Sequence, residues 1–82
     1  MCVFNDTEEE VHVSFECGET LNLGCQFYWN LEPGDGKCRP GTEGLLRVTE
    51  YAAREGCSTY VGAEGYVEIK AELGVARCLA YD

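Results

Sequence analysis

"VHVSFEC", residues 11–17, and "LNLGCQFYWNL", residues 21–31, decide the fold. In the first, Val11, Val13, Phe15 and Cys17 alternate with His12, Ser14 and Glu16. In the second, every odd position from Leu21 to Leu31 is apolar. A period of two sends successive side chains to opposite faces of a strand, whereas a helix would repeat every 3.6 residues. Joined through Gly18-Glu19-Thr20, the two runs make an antiparallel hairpin. In it Cys17 faces Leu21, Phe15 faces Leu23, Val13 faces Cys25 and Val11 faces Phe27 on one buried side. That register holds Cys17 and Cys25 about 13 Å apart, too far to bond, so a bridge between them would exclude it.

Working outward, turn signals interrupt alternating runs every twelve residues or so, the pattern of an all-β chain. Cys2-Val3-Phe4 opens, Cys57 to Val61 is rich in strand formers, Gly62-Ala63-Glu64-Gly65 is a turn, and Val67 to Leu73 alternates until Gly74. Val75 to Tyr81 closes the chain. Gly44 to Tyr51 reads as a strand, but Leu45, Val48, Thr49 and Ala52 also fit helical spacing, which makes a short helix at 45–55 the competing reading. The expectation is one domain, 1–82, built as a small disulfide-stabilised antiparallel β-sandwich or barrel of five to seven strands.

A core this small leaves folding near balance, because ordering each residue costs about 1.5 kcal/mol. The six cysteines (Cys2, Cys17, Cys25, Cys38, Cys57 and Cys78) are the natural remedy. Zinc sites take their thiolates in close pairs, whereas the nearest pair here, Cys17 and Cys25, encloses seven residues. Disulfides are therefore expected, and with them an extracellular, secreted protein. Met1-Cys2-Val3-Phe4-Asn5 has neither a basic start nor an apolar stretch, so no signal peptide is expected within these residues. No run is long and apolar enough to span a bilayer as a helix.

The formal charge is −9, and residues 1–36 carry eight acids with no Lys or Arg. Such a field repels phosphate backbones and anionic lipid, which argues against nucleic-acid binding and membrane insertion. The chain has one histidine. His12, Ser14 and Glu16 share a strand face, but neighbours two apart stand about 6.6 Å from each other on an open sheet, so they read as solvated surface and no catalytic residue is expected. Asp6, Glu8 and Glu10 in "NDTEEE" lack the spacing and glycine of a calcium loop, and no metal or other cofactor is expected. Asn5-Asp6-Thr7 is an N-x-T sequon.

Two surfaces remain as candidates for binding. The segment 32–44, containing "GDGKCRPGTEG" at Gly34–Gly44, is long and aperiodic, and Cys38 tethers it in the middle. A loop held rigid before docking loses little entropy, so Asp35, Lys37 and Arg39 are read as contacts to a protein partner of an inhibitor, toxin or effector type. The alternative is a carbohydrate-binding module using the polar sheet face around Tyr28 and Asn30, with His12, Asn22 and Gln26 beside them. Trp29 falls on the opposite, buried face and is assigned to the core.

The closing Ala76-Arg77-Cys78-Leu79 resembles the last strand of the tendamistat-type α-amylase inhibitors, small secreted disulfide-linked β-sandwiches. The resemblance covers four residues and implies a fold of that kind. It transfers no site, because the Trp-Arg-Tyr binding tripeptide of that family has no counterpart here: Trp29 is followed by Asn30-Leu31.

Overall fold

Alternation in the sequence becomes strand throughout. The computed structural model of the chain describes residues 1–17, 26–51 and 56–81, and for residues 17 and 49–51 the backbone alone. The strands are β1 (Cys2–Asp6), β2 (Val11–Cys17), β3 (Gln26–Leu31), β4 (Gly36–Cys38), β5 (Gly44–Tyr51), β6 (Ser58–Val61), β7 (Tyr66–Glu72) and β8 (Val75–Tyr81). They form two four-stranded sheets, ordered β4-β1-β7-β8 and β3-β2-β5-β6. Among the described residues every pairing is antiparallel except β1 with β7, which is parallel.

The fold is thus the expected disulfide-stapled β-sandwich, with eight strands among the described residues where five to seven were expected. The added one is β4, inside the segment read as aperiodic loop. Three residues are too few for a period to register. Its ladder to β1 (Cys2↔Cys38, Val3↔Lys37, Phe4↔Gly36) forms where Cys2 and Cys38 are bonded.

The β2–β3 hairpin keeps its buried face but not its expected register. Phe15 pairs with Phe27, Val13 with Trp29 and Val11 with Leu31, four residues further along β3 than the short turn would set. An even shift leaves every side chain on its original face, so burial favours neither register. Residues 18–25, where the expected turn and Cys25 fall, lie outside the described residues.

At 44–51 the strand prevails over the helix. β5 is flanked by β2 on one side and β6 on the other, and Leu46 and Val48 are buried while Arg47 between them is exposed. Residues 52–55 lie outside the described set. Gly56 then passes so close to the Val48 backbone that any Cβ would strike its carbonyl oxygen, and the Val48 amide donates to the Cys57 carbonyl at 2.7 Å.

Inward residues of both sheets make one core, with Val3, Val67 and Ile69 from the first sheet against Val13, Phe15 and Leu46 from the second. Phe27 and Trp29, half-buried, pack at its margin. Cys57–Cys78 joins β8 to the residue preceding β6 and so ties the two sheets together, while Cys2–Cys38 ties β1 to β4 within one sheet. Two such bridges fit an oxidising, extracellular setting.

Candidate binding surface

The tethered segment is built from Asn5 upward. This side chain is 1% exposed, and it satisfies itself completely. Its amide nitrogen donates to the carbonyls of Glu9 (2.8 Å) and Leu31 (2.9 Å), and its oxygen accepts from the Thr7 amide and hydroxyl. The Asn5 backbone adds a pair of bonds, donating to the Asp35 carbonyl and accepting from the Gly34 amide, each at 2.9 Å. Asn5 therefore fixes the turn of its own sequon and the crossing from β3 to β4. With both amide hydrogens engaged, it offers no acceptor site for a glycan in the folded chain.

Beyond that crossing, β4 places the three expected contact residues differently. The Asp35 carboxylate accepts from the Gly36 amide at 2.9 Å, capping the start of β4. Lys37 is exposed and, paired with buried Val3, belongs to the inward-facing row of this edge strand. Arg39 belongs to the same row. Its guanidinium lies 4.4 Å over the Phe27 ring of β3, and its backbone exchanges hydrogen bonds with Met1. Arg39 thus roofs the seam between the sheets, while Lys37 stays exposed.

On the outer face of β3, Tyr28 is 76% exposed beside exposed Gln26 and Asn30. The Asn30 side-chain oxygen Oδ1 meets Nδ1 of the His12 ring, whose Nε2 lies 3.4 Å from Glu10. Tyr60 of β6, 57% exposed, stands on the same face at the far edge of the sheet.

The outer face of the first sheet holds what sequence reasoning missed. Phe4, Tyr66 and Tyr81 make a continuous aromatic strip across β1, β7 and β8. Phe4 and Tyr66 meet edge to face at 5.9 Å, and Tyr66 and Tyr81 stack at 4.9 Å. They remain 41%, 38% and 39% exposed. Gly36 supplies the room for Phe4, because a Cβ there would stand 2.5 Å from the ring. The Cys2–Cys38 bridge continues the strip to the sheet margin. These residues are scattered over the sequence and meet through the parallel β1–β7 register (Cys2↔Tyr66, Phe4↔Glu68), which leaves no local signature.

Acids also meet just beyond the Val11–Leu31 end of the β2–β3 ladder. Glu10 and Glu32 share a hydrogen bond, which together with their mutual repulsion raises the Glu32 carboxyl above its ordinary value. On the first sheet Lys70 lies 3.6 Å from both Asp6 and Glu68, and these carboxylates hold its ammonium above its ordinary pKa. Among the described residues no cluster of three His, Cys, Asp or Glu is arranged to hold a metal ion.

Fold and surface together define a small disulfide-stapled β-sandwich with an exposed aromatic face beside a rigid edge. No family model matches the chain, and neither curated proteins nor solved structures gave a match.

Proposed function

We propose that the chain is a secreted, non-enzymatic binding module that docks onto a protein partner of the inhibitor, toxin or effector kind. The contact centres on Phe4, Tyr66 and Tyr81 on the outer face of the first sheet and extends to the adjoining β4 margin, where Asp35, Lys37 and Arg39 lie. The observation that carries this reading is the aromatic strip itself. Single exposed apolar residues are ordinary, but three touching rings on a domain of this size are not. Aromatic centres with a polar rim are where protein contacts concentrate their affinity. The segment bearing Lys37 is held by a disulfide and a ladder before any contact forms, so docking orders little. The net charge of −9 steers a partner that presents basic groups.

A second reading, carbohydrate binding on the face between Tyr28 and Tyr60, is favoured by the exposure of both rings beside Gln26 and Asn30. Capture from an extracellular extract separates the two. A partner retained by the native chain and by Tyr28→Ala, but lost from Phe4→Ala and weakened by Lys37→Ala, supports the first reading. Glycan binding abolished by Tyr28→Ala and unaffected by Phe4→Ala overturns it in favour of the second.

A further inference from the structure

β8 closes the first sheet and pairs with β7 along all seven of its residues. Among the described residues no strand is hydrogen-bonded to its other edge; β6, in the facing sheet, is tied to β8 through the residue that precedes β6, by Cys57–Cys78. A free edge presents a row of unpaired N–H and C=O groups, and the protein element that satisfies such a row is another extended strand. The usual guards of an edge are missing. β8 contains no proline, and its single charge, Arg77, is engaged by Glu72 at 2.6 Å. Its inward row is Ala76, Cys78 and Ala80.

Two observations select the occupant. The first is charge. Residues 56–81 carry three acids against two bases, in contrast to eight acids and no base over residues 1–36, so this margin nearly escapes the repulsion that the whole chain would impose on its own copy. The second is self-complementarity. Antiparallel pairing of β8 with itself about Cys78 sets Val75 against Tyr81 of the second copy and Arg77 against Leu79 of the second copy on the outer face. The small residues Ala76 and Ala80 then meet on the inner one. Val75 and Tyr81 are 47% and 39% exposed, and β-branched residues pair well with aromatic ones across strands. Moving the axis to Arg77 would oppose two like charges.

We propose that β8 is a homodimerisation edge: two copies pair antiparallel about a two-fold axis at Cys78, merging two four-stranded sheets into one of eight. The ladder is short and sits at the small end of specific interfaces, below about 1,200 Å², so the dimer is reversible.

Sedimentation equilibrium of the oxidised protein, from about 10 µM to about 1 mM, tests this, with hydrogen exchange alongside. The native chain should pass from monomer to dimer over this range, and β8 amides should gain protection only at the high end. Leu79→Lys places a second cation against Arg77 of the other copy and should weaken dimerisation about ten-fold or more, with the thermal transition unchanged. Adding Arg77→Glu to that variant sets opposite charges across the same pair and should restore the dimer. A chain monomeric at every concentration, a dimer indifferent to Leu79→Lys, or a double variant that fails to recover would each overturn the proposal.

Discussion

The two margins of the sandwich are closed by opposite means. At the β3–β4 margin the backbone is guarded: β4 has three residues, Pro40 follows it, and Lys37 and Arg39 line its inward row. Arg39 covers Phe27, and Asn5 locks the crossing chain. At the β6–β8 margin the sheets are tied covalently by Cys57–Cys78, while the seven-residue β8 has, among the described residues, a hydrogen-bonded strand on one edge alone. One margin is sealed by polar detail and the other by a single bond, so they should fail differently when perturbed.

The largest effects test the bonds. Each bridge closes a loop of comparable size, with separations of 36 residues for Cys2–Cys38 and 21 for Cys57–Cys78. Chain entropy assigns each about 3–4 kcal/mol. Replacing either pair by serine should lower unfolding free energy by similar amounts in denaturant titrations. Hydrogen exchange should then distinguish them, with β4 amides released in one case and those of β6 and β8 in the other. The intact protein should have a mass six hydrogens below the reduced chain, one for each cysteine.

Asn5→Ala comes next and strikes the guarded margin. It strands the buried Leu31 carbonyl and unties the Thr7 turn, a loss of about 2–3 kcal/mol, read as a lower midpoint in urea. Arg39→Ala should cost about 1 kcal/mol by uncovering Phe27, while Lys37→Ala should change stability by less than about 0.5 kcal/mol. Equal effects would mean that the two bases do the same job and that the roofing role of Arg39 is wrong.

The smallest effect is a pH dependence at Glu32. Its raised pKa means that the folded chain holds this proton more tightly than the unfolded one, so the contribution is present at low pH and is lost as pH rises through the elevated value. Glu32→Gln should therefore raise the melting temperature slightly at neutral pH. The gain should vanish on acidification below the ordinary carboxylate range, and thermal scans across pH would show it.

Much of this architecture was legible because burial on a strand has a period, and Val11 to Cys17 or Tyr66 to Glu72 display it without ambiguity. The hairpin register was not legible, because a shift by four positions keeps Phe15, Phe27 and Trp29 on the same face. β4 was hidden by its shortness, and Asn5 by its chemistry: a polar side chain in "NDTEEE" reads as surface turn until Leu31, from another sheet, supplies its partner. For the candidate site, the tethered segment could be located from Cys38 alone. The aromatic strip could not, since Phe4 and Tyr66 become neighbours only through a pairing that joins the two ends of the chain.

That parallel pairing also sets the order in which the molecule can assemble. Cys2 lies beside Tyr66, and β1 sits between β4 and β7, so the first sheet has no centre until nearly the whole chain is present. The second sheet can form earlier from β2, β3, β5 and β6. β1 can take β4 as its antiparallel neighbour once residue 38 is present, but its parallel neighbour β7 comes only from residue 66 onward, and until then one edge of β1, at Val3 and Phe4, stays unpaired. Such long-range closure places folding in the slow class, milliseconds to seconds, and makes the waiting first strand the point at which misassembly begins.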